Sequence, residues 1–288
     1  MSFSRHAAYG RPRQTDRSSF GPKTSWDHVS DWYATYLAQP GTFQHDLIFP
    51  GAARLLDAQP HKRYLDIACG QGAFIHWLLK QQLRATYHGL DASPSLIMQA
   101  KASFAYKQRA SSPNGSGAPS FTVTDARRFA TALPSTLTPF DGATCILALQ
   151  NIDPFEDVLR ETARVLAPGA PFVIVLNHPC FRAPRQSGWG WDEERKLQYR
   201  RVDRYLSTYE MPIRMHPGSA PSVKTYSYHR PVQTYMTALA QQGFVVDAFE
   251  EWVSPRSSDS GPRAKAENVA RVEIPLFLAI RARRVDSI

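Results

Sequence analysis

The sequence predicts an α/β protein: a doubly wound, seven-stranded, mostly parallel sheet with an antiparallel last strand, plus an inserted cap. Three observations carry that prediction. From residue 62 onward, apolar runs of strand length alternate with helical stretches, the pattern of a sheet wound on both faces. The first of these runs, within "YLDIACGQGAF" (64–74), empties into a turn of small residues. The final two apolar runs are joined by a polar loop, so the last strand should return antiparallel.

In chain order, residues 1–23 mix Ser, Arg, Gly and Pro without apolar periodicity, which reads as a disordered basic tail. An Arg- and Ser-rich start also resembles a transit peptide, but its prolines and lack of an apolar face favour the tail. One domain is expected over 24–288, opening with cover helices over 24–60. Thr24 stands three residues before Asp27, a capping-box spacing, and Trp26, Val29, Tyr33, Tyr36 and Leu37 follow at helical intervals. A second helical piece, "LIFPGAARLLDAQ", leads to the sheet.

Strand "RYLDIA" then precedes helix "AFIHWLLKQQ", and strand "ATYHGLDA" precedes helix "SPSLIMQAKASFAYKQ". After the loop "RASSPNGSGAPS" come strands "SFTVTDA" and "DGATCILAL", helix "PFEDVLRETARVLA" and strand "FVIVLN". Residues 178–230 break the alternation. Within them "WDEERKLQYRRVDRYLSTYE" is expected as a helix, and "MPIRMHPG…VKTYSYH" as two short strands around a turn. Helix "PVQTYMTALAQQG" restores the rhythm, and "FVVDAFEEW" and "VEIPLFLAIRARR" close it as strands around the polar "SSDSGPRAKAEN".

Composition narrows the function classes. No apolar run is long enough to span a bilayer, and the three scattered cysteines form neither a disulfide framework nor a CxxC metal site. A reducing, cytoplasmic setting fits them, with organellar import through the basic start as the alternative. The net charge of +9 is local. Residues 1–25 hold five Lys/Arg against Asp16, and residues 178–230 hold ten against five acids. Nucleic acid is therefore an unfavoured partner, since the rest of the chain is balanced.

In open α/β sheets ligands bind beyond the carboxyl ends of the strands. Here the first strand ends in the small-residue turn, whose amides can approach a ligand at the positive end of the next helix. The second ends in Asp91, 19 residues after Gly72, placed to meet a ribose hydroxyl pair. The third ends in Asp125, able to accept from the exocyclic amine of a base. The ordered set describes a pocket for an adenosine without a pyrophosphate.

The stretch from about residue 64 to 176, with the closing strands, resembles the class I S-adenosylmethionine-dependent methyltransferases, which share a Rossmann-like sheet. The family's first motif, acid-x-Gly-x-Gly-x-Gly, is matched by Asp66-Ile67-Ala68-Cys69-Gly70-Gln71-Gly72, with Ala68 at the first glycine position. "LALQNIDPFEDVLRETARVLAPGAPFVIV" is similar to the family's fourth and fifth strand region. The resemblance implies S-adenosylmethionine as cofactor and no metal. It implies cofactor contacts from Asp66, Ala68, Gly70 and Gly72, from Asp91 and Ala92 at the ribose, and from Asp125 and the amide of Ala126 at the adenine. Leu149 and Gln150 would lie beside the sulfonium and methionine. Tyr33, and with it Phe43 or His45, would roof the site, as an amino-terminal helix does in related small-molecule enzymes.

A nicotinamide dehydrogenase shares the winding but needs GxGxxG, and here position 73 is alanine. A non-catalytic nucleoside-binding protein would keep the acids without the chemistry. Amino-directed nucleic-acid enzymes carry an Asn/Asp-Pro-Pro-aromatic turn after the fourth strand, where this chain reads Gln150-Asn151-Ile152-Asp153-Pro154-Phe155. Cys180 follows the fifth strand, but the Pro-Cys turn that a cytosine-directed enzyme needs is missing.

The expected reaction is therefore methyl transfer to oxygen or nitrogen of a small molecule, with an RNA or protein acceptor as the alternative. Residues 178–230 enter where the fifth strand opens toward the methyl group, and long inserts of this kind serve as lids or binding elements. Its aromatics, among them Phe181, Trp189, Tyr199 and Tyr205, with Asn151 and Asn177 at the strand ends, are the expected acceptor-side residues. His178 and His229 are the candidates for a base or for orienting the acceptor. His178-x-Cys180 has no further ligands at a metal spacing.

Overall fold

The protein is described here from a computed structural model, over residues 41–81, 84–110, 118–213 and 225–285, the side chains of 106–110 and 213 excepted. The tail over 1–23, the capping-box helix with Tyr33, most of the loop before the third strand and the turn preceding "KTYSYH" lie outside the described residues.

A π-helical turn, Gln44–Ile48, continues into α1 (Phe49–Leu56), which ends where Asp57 turns left-handed. The alternating part follows as β1 (Arg63–Ile67), α2 (Ala73–Lys80), β2 (Thr86–Asp91), α3 (Pro94–Ala110), β3 (Ser120–Val123), β4 (Gly142–Ile146), α4 (Glu156–Val165) and β5 (Pro171–Asn177). Two hairpins come next: β6 (Ser187–Asp192) with β7 (Leu197–Val202), and β8 (Tyr209–Ile213) with β9 (Thr225–His229). The chain closes with α5 (Val232–Gln241), β10 (Phe244–Trp252), α6 (Ala264–Glu273) and β11 (Phe277–Arg284).

The sheet order is β10-β11-β5-β4-β1-β2-β3. All its pairings are parallel except those of β11, antiparallel to both β5 and β10. Four of the five β1 residues, Tyr64 to Ile67, are buried, as a central parallel strand covered on both faces must be. Leu65, Ile67, Ala143 and Ile174 face a core built with α4 and α5. Tyr64, Tyr87 and Val175 face a second core built with α1, α2 and α3. Winding reverses between β1 and β4, so their carboxyl ends frame the crevice.

Two expectations fail. The segment 191–210, expected as a helix, is strand, turn and strand. Along β7 exposed and half-buried residues alternate strictly, the period of a sheet rather than a helix. Its acids and bases serve the reversal instead of a helical face: Arg195 N–H donates to Asp192 Oδ1 at 2.8 Å, Lys196 pairs with Glu193 at 2.6 Å, and Lys196 has a φ of 50°. The polar loop before the last strand contains α6, so that strand starts at Phe277 rather than at Val272.

Candidate functional site

Beyond the ends of β1, β2, β3 and β4 lies a cleft lined by Ala68, Gly70, Asp91, Ala92, Leu96, Asp125, Ala126, Ile146, Leu147, Ala148, Asn151 and Ile152. Its walls are apolar apart from a few placed polar groups, as in small-molecule sites generally.

The floor is the turn after β1. Ala68, Gly70 and Gly72 have φ of 56°, 56° and 76°, a region that alanine enters only at a cost. The turn is pinned from β2, because Cys69 N–H donates to Leu90 O at 2.9 Å and Gly70 N–H donates to Asp91 Oδ2 at 2.9 Å. Asp91 Oδ1 also accepts the Ser93 N–H at 2.8 Å. A carboxylate has lone pairs enough to hold these amides and still accept hydroxyl donors. At Gly70 nothing lies within 4 Å of where a Cβ would stand, so ligand atoms can reach the backbone there. Gly72 is different: it opens α2, and a Cβ on it would meet the Phe121 and Phe104 rings at 3.1–3.2 Å.

Asp66 lies beneath this turn, buried, accepting the Thr144 hydroxyl at 2.7 Å. Burial raises its pKa to about 7; Thr144 lowers it and the neighbouring Asp91 charge raises it further. Such a carboxyl is poised to ionise when a cation approaches. Asp125, at the opposite end of the cleft, is clasped by Arg127, with Nε at 3.0 and 3.2 Å and Nη2 at 2.7 Å. Burial would raise its pKa, but the Arg127 guanidinium and amide outweigh that and hold it below the usual carboxylate value. Any amine meeting Asp125 shares it with Arg127, which the sequence reading did not foresee. An arginine two residues beyond an acid, in "DARR", was the available signal.

At the end of β4 the expectation shifts along the chain. Leu149 is fully buried in the core with α4 and α5, and Gln150, 7% exposed, donates from Nε2 to Leu147 O at 2.8 Å. Asn151 Nδ2 donates to the same carbonyl at 3.3 Å. A left-handed Leu147, φ 54°, and the short 3-10 turn Leu149–Asn151 send Leu149 inward. Ile146, Leu147, Ala148 and Ile152 therefore line the cleft where Leu149 and Gln150 were expected. A strand that ended at Leu149 would have put that side chain at the mouth.

The histidines are both engaged. His178 Nε2 meets Glu251 Oε1 at 2.7 Å, while its Nδ1 accepts the Cys180 and Phe181 amides at 3.2 and 3.4 Å. His229 Nε2 donates to Tyr205 O at 2.7 Å, and its ring stacks on Tyr209 at 4.7 Å. Burial holds both below the ordinary histidine pKa. In this geometry both rings are held by contacts within the chain. Burial, with Glu251 nearby, pushes the Cys180 thiol up, the reverse of an activated nucleophile.

Of the aromatics expected on the acceptor side, Phe181 packs on His178 at 4.8 Å, and the Tyr205 hydroxyl accepts the Val232 N–H at 2.9 Å, capping α5. Trp189 and Tyr199 are 43% and 44% exposed on the first hairpin, whose β7 packs beside α6. The second hairpin, through β9, packs on Leu149–Asn151 at the cleft mouth. Asn177 ends β5 opposite Phe277, against whose ring Phe43 packs at 5.6 Å. His45 packs edge-on to Phe49 at 5.4 Å. Tyr33 lies outside the described residues. Among the described residues no cluster of metal-binding side chains occurs, and no helix is long and apolar enough to cross a membrane.

Known proteins share the fold. A family profile described as a methyltransferase domain matches residues 65–172, which run from β1 into β5. An S-adenosylmethionine-dependent methyltransferase from Mesorhizobium loti is 26% identical, with a TM-score of 0.61, over 82% of this chain and 96% of its own. A candidate S-adenosylmethionine-dependent methyltransferase from Listeria monocytogenes is 22% identical, with a TM-score of 0.57, over 82% and 99%. The glycopeptide N-methyltransferase MtfA shares the fold at 13% identity, with a TM-score of 0.53, over 82% and 94%.

Proposed function

The chain belongs to the class I S-adenosylmethionine-dependent methyltransferases, and from that premise we propose that it methylates oxygen or nitrogen of a small-molecule acceptor. The observation that carries this reading is the lining of one cleft at the switch point: Gly70 backbone, Asp91, Asp125 and apolar walls.

In this reading Asp91 binds the ribose hydroxyls, with Ala92 beside it. Asp125 and the Ala126 amide meet the adenine, between Leu96 and Ile152. Ala68 and Gly70 bring backbone against the methionine portion, and the buried Asp66 supplies negative charge below it. Gly72 shapes the turn, while Leu149 and Gln150 support the wall from behind. Tyr33 is retained as a roof residue. The cofactor, when bound, offers a methyl group already activated by a sulfonium. What remains for the protein is to align the acceptor and exclude water.

Residues 178–230 serve as the cap. Its second hairpin stands beside Asn151 at the cleft mouth, Asn177 closes β5 on the acceptor side, and the first hairpin, bearing Trp189 and Tyr199, packs beside α6. His178 and His229, with Phe181 and Tyr205, hold the cap in shape. Three of the segment's ten Lys/Arg meet local acids, Arg195 with Asp192, Lys196 with Glu193 and Arg201 with Asp203. That supports a small acceptor over RNA, which needs an open basic face.

Calorimetric titration with S-adenosylhomocysteine and with NAD tests the reading. Binding of the first and none of the second is expected. NAD binding without S-adenosylhomocysteine binding would overturn it.

A further inference from the structure

Arg230 is the residue that joins the cap to the cleft. It follows β9 directly, and its guanidinium is buried between the rings of Phe155, at 4.7 Å, and Tyr228, at 5.1 Å. From there Nη2 donates to Ile152 O at 2.9 Å and to Asp153 Oδ1 at 2.6 Å. Ile152 lines the cleft. On the other side of the same short segment, Arg127 Nη1 donates to Asp153 O at 2.8 Å while its remaining nitrogens hold Asp125. A buried charge must be paired, and although Nη1 has no hydrogen-bond partner, the Arg230 charge is compensated by Asp153 only while the hairpin and the segment 152–153 keep this relation.

We propose that Arg230 is a positioning residue for the cofactor cleft. It fixes the Ile152 wall from the cap's second hairpin, and Arg127 extends the tie through Asp153 to Asp125, so that ordering the cap and loading the cleft favour each other. Coupling of this kind is reciprocal by linkage, so loading the cleft orders the cap as much as an ordered cap favours loading. The inference rests on the reading of the cleft as an S-adenosylmethionine site. It adds that the adenosine end and the cap, on different segments of the chain, answer to one another.

The test is S-adenosylhomocysteine affinity, measured by calorimetry, alongside thermal melting without ligand. Arg230→Gln should weaken binding by about tenfold or more, the scale of a lost charged hydrogen bond. Arg230→Lys, which keeps a donor and the charge, should recover part of it. Combining Arg230→Gln with Arg127→Gln should cost clearly less than the two separate losses multiplied, because both act on one segment. Should Arg230→Gln fail to fold, Asp153→Asn, at a side chain 54% exposed, cuts the same tie and should weaken binding in the same direction. Wild-type affinity in a folded Arg230→Gln or Asp153→Asn, or strictly multiplicative losses in the double variant, overturns the coupling and leaves the cofactor reading standing. No binding by the wild-type protein removes both.

Discussion

Ala68 and Gly70 hold the same left-handed φ of 56°, yet one is alanine and the other glycine. Both line the cleft. A side chain at Gly70 would meet no protein atom and, if the cleft holds S-adenosylmethionine as proposed, would intrude on it. Gly70→Ala should therefore lower stability by only about 1 kcal/mol but reduce S-adenosylhomocysteine affinity far more, by roughly tenfold. A melting curve and a titration on the same sample separate the two effects. Asp91→Ala should weaken binding by about 1–3 kcal/mol; unchanged affinity would remove Asp91 from the site.

Asp66 allows a prediction of sign. Its folded pKa is raised to about 7, so the folded protein favours the protonated acid. The stability this contributes is full below the unfolded pKa and is lost as pH rises through 7. A shift of that size is worth at most about 4 kcal/mol. Wild-type stability, measured by urea unfolding, should fall between pH 5 and 8 relative to Asp66→Asn. His88, lowered by burial to about 4, acts the other way and costs stability as pH falls through 6.5. A cationic ligand over Asp66 should also drive a proton off it, so binding near neutral pH should release protons. Calorimetry in buffers of different ionisation enthalpy reads that directly, and equal heats would refute it.

At the scale of elements, α1 shows how the cover is held. It lies across β5, β4 and β11, and Gly51 lets the helix sit on Trp252: a Cβ there would stand 2.5 Å from the indole. Trp252 is buried at the end of β10 and donates to Glu250, which also pairs with Arg54 of α1. Gly51→Ala should destabilise by about 1–3 kcal/mol through overpacking, although alanine is the better helix former. A rise in unfolding midpoint would contradict the close packing. The first hairpin, β6 with β7, makes the opposite case. Its arginines and glutamates suit a helix, but its glycines and aromatics do not, and the pairing of the two strands, closed by local ion pairs, selects the extended form.

For the whole molecule, two apolar cores on opposite faces of one sheet make unfolding of the described domain cooperative. Ligand binding to the cleft should therefore raise the midpoint of the entire transition. At a hundredfold excess over Kd the gain is about 2.7 kcal/mol, or roughly 5–10 °C for a domain this size. A shift with S-adenosylhomocysteine and none with NAD is the expected result.

The sheet and its acids were legible in the residues because periodicity, small-residue turns and strand-end carboxylates are local features of the chain. Buried strands read as apolar runs, and Asp66, Asp91 and Asp125 stand at positions that counting along the sequence finds. What lies between segments distant in sequence was decided only by folding. Arg230 reaches Asp153 across 77 positions and Glu251 reaches His178 across 73, and no spacing rule reports such pairs. Leu149 turned inward for a local reason that composition does not announce: a left-handed Leu147 and the 3-10 turn after it redirect the chain at the end of β4. Local sequence sets which groups are available, and packing sets which of them face each other.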